Sequence, residues 1–212
     1  MQQWCNVEVR KFVFNRYPPH VRQLKSYAFK PIIVAEVLRT YNVSGIFWVD
    51  SSVRLNTGRL ESLTNIANRN QGICAFAGTG HSVYAVTPLK MLRHLPMVKD
   101  AKKSECLLAT LILLYKTKFV VDHILKWWLA CALSRSCIYS LTNFDCDFRD
   151  DRYNRFAHCS RFDQSALSIL LYNAYNDSNK ILGPTIDRKF SIINFEKYGG
   201  GGKVRDCKKH TN

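Results

Sequence analysis

An α/β fold, a mixed and mostly parallel central sheet flanked by helices, is what this sequence predicts. Two observations carry it. A helical stretch over 31–41 runs through a very short link into GIFWV, 45–49, an apolar run with little alternation; such a run suits a strand covered on both faces. A second helix over 55–70 is then followed by another apolar strand, GICAFAGTG, 72–80, the alternation of an α/β unit. The 212-residue chain is 47% hydrophobic and 22% charged, ordinary for a globular fold that buries a sizeable core.

The elements follow in order. VEVRKFVF, 7–14, reads as an early strand, and RYPPH breaks it because proline cannot continue a ladder. Pro31 suits a first helical turn; Ile32, Ala35, Val37 and Leu38 form that helix's apolar side, and Asn42 and Gly45 end it. In 55–70, Leu60, Leu63, Ile66 and Ala67 recur at helical spacing, with Thr57 as a candidate N-cap. HSVYAVT, 81–87, reads as a strand stopped by Pro88, and LKMLRHL as a short helix. Residues 101–139 read as helical, with an uncertain break near 117–122. Within them CLLATLILLY, 106–115, is a buried helix, far short of the about 20 residues a bilayer span needs. NFDCDFRDDRYNRFAH, 143–158, is a long surface loop. SRFDQSALSILLYNAY, 160–175, is the clearest helix start: Ser160 and Asp163 resemble a capping box, and Leu167, Leu170, Leu171 and Ala174 make the apolar stripe. SIINFEKY, 191–198, is a late strand. One domain over 1–198, with its beginning truncated if a first strand region is missing, and a flexible basic tail over 199–212 complete the expectation.

The formal net charge is +15, enough to attract polyanions. No aromatic-basic interleaving, zinc finger or helix-turn-helix signal marks a nucleic-acid reader, so no specific nucleic acid is expected. The eight cysteines contain no CxxC pair. They leave two readings open: one or two disulfides in a secretory compartment, or buried free thiols. The N-terminus lacks the apolar core of a signal peptide, and no segment reads as a membrane span. Asn42 and Asn176 stand in glycosylation triplets that matter only in the lumen.

Candidate site residues each have two readings. Asp50, at the end of GIFWV, is either a turn former with Ser51 and Ser52 or a carboxylate for a divalent ion and a diphosphate. Arg54 is either a solvated charge or a phosphate contact. Lys30, with Lys25, flanks the aromatic segment SYAF and either reaches a diphosphate or lies along the surface. His81, after Gly78-Thr79-Gly80, either sits in a tight reversal or donates to a ligand oxygen; no P-loop or dinucleotide fingerprint is present. His158, Arg161, Asp163 and Gln164 cluster at a helix start, where Asp163 either caps the helix or, with Gln164, meets sugar hydroxyls and acts as base or charge stabiliser. Asp145, Asp147, Asp150 and Asp151 read as loop acids, each also able to supply a metal ligand.

YAFKPIIVAEVL, GIFWVDSSVR and HCSRFDQSALSILL together resemble a nematode-rich family of glycosyltransferase-like proteins in the nucleotide-diphospho-sugar transferase superfamily, the GT-A fold. The likeness covers about residues 20–175. It implies a Rossmann-like half, a UDP-sugar donor, Mn²⁺, a glycan, protein or lipid hydroxyl acceptor, and the Golgi lumen or secretory pathway. The superfamily's Asp-x-Asp falls on Asp50 and Ser52, so only Asp50 matches as metal ligand. Asp163 and Gln164 fall beside the donor sugar as catalytic residues; Ser52, Arg54, Lys30 and His81 join Asp50 as donor contacts, and Lys203 and His210 stand where a late diphosphate or metal contact is common. The expected function is sugar transfer to a hydroxyl. The alternatives are a non-catalytic polyanion- or carbohydrate-binding module and an inactive transferase homologue.

Overall fold

The computed structural model describes residues 7–55, 60–76, 79–175, 177–183 and 193–195. Its elements are α1 (Phe29–Thr40), β1 (Gly45–Val49), β2 (Val53–Leu55), α2 (Glu61–Arg69), β3 (Ile73–Phe76), α3 (Val83–Val86), α4 (Leu89–His94), β4 (Leu108–Tyr115), α5 (Lys118–Val120), a π-helical turn (Val121–Leu125), α6 (Lys126–Leu133), α7 (Arg135–Ile138), α8 (Phe162–Ala174) and β5 (Ile193–Phe195). Helices predominate. The main sheet has three strands in the order β1-β4-β3, and both pairings are antiparallel; β2 pairs with β5, also antiparallel.

This corrects the mostly parallel sheet expected above, and with it the GT-A assignment. The reason lies in β4. CLLATLILLY is the central strand, not a buried helix, with Gly45 to Val49 of β1 facing Tyr115 to Leu111 and Ile73 of β3 facing Leu114. A strand covered on both faces has no alternation, so its apolar run cannot be told from a buried helix by period. The alternation seen over 31–76 is real: β1 and β3 both oppose β4 and so run parallel to each other, with α2 between them in sequence. The antiparallel β4 is inserted between them. Ile73, Ala75, Ile112 and Leu114 face the large core with α1, α6 and α8; Cys74, Phe76, Leu111 and Leu113 face Leu63 and Ala67 of α2.

Two further expectations change. Residues 7–13 form no strand. HSVYAVT is helix α3, because Ser82 caps it by accepting from Ala85 N at 3.1 Å, in place of a strand. α1, β1, α2, β3, α4 and α8 lie close to where the sequence puts them. Thr57 and the 199–212 tail lie outside the described residues, as does most of the 191–198 segment, of which β5 is described.

Residues 143–158 are irregular and form a loop closed by Cys146–Cys159. Its backbone docks on α3, where Ser82 N donates to Arg152 O at 3.0 Å and Ala157 N to Ala85 O at 2.8 Å; just beyond the loop, Arg161 N donates to Val86 O at 3.2 Å and ties the start of α8 to α3. A second disulfide, Cys131–Cys137, ties α6 to α7. Cys74 and Cys106 are buried free thiols, and burial pushes each up to about 12. Disulfides and buried free thiols therefore both occur, in different residues. No described helix is long and apolar enough to cross a membrane.

A cavity around a buried lysine as candidate functional site

Lys30 sits in the first turn of α1, where the apolar positions Ile32, Val34 and Leu38 turn that helix into the core. Its side chain is carried inward with them and is only 5% exposed. An ammonium so placed requires partners. Lys30 Nζ donates to Asp50 Oδ2 at 3.0 Å and to the Ala109 carbonyl of β4 at 3.2 Å, and stands 3.5 Å from Asp163 Oδ2. The Tyr27 ring centroid lies 4.8 Å away. Burial pulls the lysine down, but Asp163 and Asp50 more than offset it, so its affinity for the proton ends above the ordinary value and it stays charged.

Asp50 forms the turn that the sequence offered, and its carboxylate is taken up by protein groups. Its carbonyl accepts from Val53 N at 2.9 Å, forming the turn through Ser51 and Ser52 into β2. Its carboxylate points back into the fold, taking Lys30 on one oxygen and Trp48 Nε1 on the other at 2.6 Å. Asp163 stands in the first turn of α8, where the Ser160 hydroxyl accepts from Phe162 N at 3.1 Å; Asp163 makes no cap hydrogen bond. The helix is held by Trp128 Nε1, which donates to Asp163 O at 3.1 Å, by Ser165 Oγ, which donates to Val86 O at 3.1 Å, and by Ser168 Oγ, which accepts from Leu107 N at 2.9 Å. Asp163 is 2% exposed, and its Oδ2 has no hydrogen-bond partner among the described residues despite the nearby ammonium. Burial raises its carboxyl to about 7, with Lys30 opposing and Asp50 adding to the rise.

These groups surround a cavity of about 330 Å³ lined by Tyr27, Lys30, Asp50, Ala109, Thr110, Phe144, Arg161, Asp163 and Gln164. The two carboxylates, 113 positions apart in the sequence numbering of Asp50 and Asp163, thus border one hollow. Thr110 Oγ1 is a second buried oxygen of this lining without a hydrogen-bond partner among the described residues. Arg161 stacks its guanidinium 4.5 Å from the Phe144 ring centroid and donates to Phe144 O at 3.2 Å. Tyr27, in the lining, and Phe162, between the lining residues Arg161 and Asp163 in sequence, hold left-handed backbone at φ 52° and 46°. Such non-glycine conformations cost energy, and they recur at binding sites.

Of the residues expected at a site, Lys30, Asp50, Asp163 and Gln164 come together. Ser52 lies on the exposed turn and does not line the cavity. The Arg54 backbone pairs with Asn194 in the β2–β5 ladder; its side chain lies outside the described residues, as do Lys203 and His210. His81 is buried elsewhere, stacked on Phe148 at 5.4 Å with Nδ1 unpartnered. Burial, with Arg161 second, lowers it to about 4, so it is neutral at neutral pH. Asp147 pairs with Arg149 and Arg155, and Asp151 accepts from Tyr153 N and Asn154 N, both within the loop. Thr110, Phe144 and Trp48 were missed; the hydroxyl interrupting CLLATLILLY was the available signal for the first.

Among the described residues no group of three or more His, Cys, Asp or Glu side chains could hold a metal ion. Together with the antiparallel sheet, this overturns manganese-dependent sugar transfer on a GT-A fold, both as the function and as the enzyme class expected from the resemblance. Residues 1–35, which include Tyr27 and Lys30, match a family described as "Protein of unknown function (DUF1647)". No curated protein and no solved structure matches the chain.

Proposed function

We propose that this chain is a ligand-binding domain whose Lys30 cavity takes a small, neutral, hydroxyl-rich molecule of monosaccharide or polyol size, with no transfer step. The observation that carries this reading is the pair of buried oxygens without a hydrogen bond among the described residues, Thr110 Oγ1 and Asp163 Oδ2, the second only ion-paired with Lys30, belonging to residues of one cavity lining. Buried acceptors left unpaired cost about 1–3 kcal/mol each, and a ligand with two hydroxyls relieves both. Tyr27 and Phe144 supply apolar ring surface for a C–H face, while Lys30 is already neutralised by its carboxylates and adds no demand for an anion. A concave hollow with a few convergent polar groups and a displaced carboxyl pKa is the usual form of a small-molecule site. The two disulfides support an oxidising compartment for the protein.

The test is saturation-transfer NMR against a panel of polyols and monosaccharides, with Thr110→Val and Asp163→Asn beside the native chain. Thr110→Val keeps the side-chain shape and removes only the hydroxyl. Binding of at least one panel member, weakened about tenfold by Thr110→Val at unchanged circular dichroism, is expected from the loss of one buried hydrogen bond. No binding by any member, or binding indifferent to both variants, would overturn the reading.

A further inference from the structure

A second hollow lies between α4 and α7, away from the Lys30 cavity. It has a volume of about 580 Å³ and is lined by Lys90, Arg135, Ser136, Tyr139, Ser140 and Thr142. Two cations, one ring and three aliphatic hydroxyls meet there, and no carboxylate lines it. Lys90 and Arg135 are exposed, and among the described residues neither side chain has a hydrogen bond or an ion pair. Among the described acids, Asp100 pairs with Lys103, Asp122 with Lys118 and Asp147 with two arginines, all outside the hollow's lining. Ser140 Oγ is buried and has no hydrogen-bond partner among the described residues.

The frame around these groups is fixed. Cys131–Cys137 holds α7 against α6, and Cys137 N and Ile138 N both donate to Ser134 O, at 3.1 and 3.0 Å. Ser136 Oγ and His94 Nε2, 2.9 Å apart, bridge α7 to α4. Like charges gathered without a counterion repel, so a bound oxyanion is favoured by both cations at once. The forked guanidinium suits a tetrahedral oxyanion, a lysine adds a point charge, and a hydroxyl can donate to the same group. An inorganic ion would leave most of the hollow unfilled, and Tyr139 offers a ring face to whatever the oxyanion is attached to.

We infer that the α4–α7 hollow binds a phosphate or sulfate monoester of a small molecule, with Lys90 and Arg135 on the oxyanion, Ser140 donating to it and Tyr139 against the ester's organic part. The experiment titrates the native chain with phenyl phosphate, phenyl sulfate, inorganic phosphate and inorganic sulfate, followed by amide chemical shifts. The variants are Lys90→Glu with Arg135→Glu, Ser140→Ala, and a charge-matched control, Lys11→Glu with Lys103→Glu, at two exposed bases outside the hollow. One ester should bind more tightly than either inorganic ion, and which ester does so distinguishes the two sources. The hollow's double variant should weaken that binding by about tenfold or more, from loss of charge-assisted hydrogen bonds, and Ser140→Ala by about threefold. The control should stay within about twofold, as screened surface charge predicts. Equal loss in both double variants would make the effect one of net charge and overturn the site. Inorganic ions binding as tightly as the esters would overturn the monoester assignment, and so would the absence of any shift. All four substituted bases are solvent-exposed, so folding is preserved and circular dichroism checks it.

Discussion

Lys30 is the residue on which the Lys30 cavity's electrostatics turn. Its ammonium is nearly inaccessible and lies between two carboxylates, so replacing it with methionine keeps the stem but leaves Asp50 and Asp163 facing each other across a hollow. Removing one partner of a buried ion pair costs about 3–5 kcal/mol, more than the pair itself contributes, because the surviving charge stays desolvated. Lys30→Met should therefore lower the free energy of unfolding by about 3 kcal/mol at neutral pH, read from the urea midpoint at unchanged slope. A loss below about 1 kcal/mol would mean that the triad is hydrated like a surface pair. This charge was half legible in the sequence. Lys30 was a candidate because it flanks SYAF, but its blander reading placed it on the surface; burial follows from the helix face it shares with Val34 and Leu38, which only packing reveals. Asp50 and Asp163 were legible as residues, and the structure places both in one cavity lining. Thr110 was not legible, because its environment depends on CLLATLILLY being a strand.

At the scale of elements, the same strand decides what sequence reading reached. Helices with a polar side were placed within a few residues, since their stripe is visible in a period of 3.6. β4 has water on neither side and carries no period, so helix and strand compete on equal terms there. Its identity is fixed instead by pairing with β1 and β3, contacts from about forty to seventy positions upstream in the register Gly45↔Tyr115 and Ile73↔Leu114. One short turn shows how tightly neighbouring elements are joined. Gly72, leading into β3, has φ +108°, and a Cβ there would meet Thr117 Cγ2 at 2.7 Å. Thr117 is also the cap of α5, its hydroxyl accepting from Val120 N at 3.1 Å and donating to Gln71 O at 2.5 Å. Gly72→Ala combines a disfavoured backbone with a clash on that cap, so it should destabilise by more than about 1 kcal/mol. Gln71→Gly, at φ 56° on an exposed position, should instead be neutral or mildly stabilising, by up to about 1 kcal/mol. Thermal unfolding of the two variants side by side checks the pair, and a Gly72→Ala midpoint equal to the native one would show that the turn relaxes freely.

Across the whole molecule, two buried groups pull stability in opposite directions with pH. Asp163 is held at about 7 by burial, against an ordinary value of 3.8; Lys30 and Asp50 face it. Between those values the folded chain keeps a proton that the unfolded chain has released, so stability falls as pH rises from about 4 to about 7. His81 is lowered from 6.5 to about 4 by burial, with Arg161 and Arg152 adding to the fall and Glu105 opposing it. Here the unfolded chain takes up the proton first as pH falls, so the contribution to stability grows as pH rises from about 4 to 6.5. The windows overlap, and the native chain should show a shallow profile through them because the slopes oppose. His81→Phe keeps a ring against Phe148 and removes the histidine's slope, so stability should then decline as pH rises from about 4 to about 7. Asp163→Asn removes the other slope, so stability should climb over 4 to 6.5. Asp151, lowered first by the Asn154 N–H, acts only below this range. Urea unfolding at a series of pH values separates the three chains. Curves that stay parallel for all three would mean that neither group is held in its displaced state by the fold.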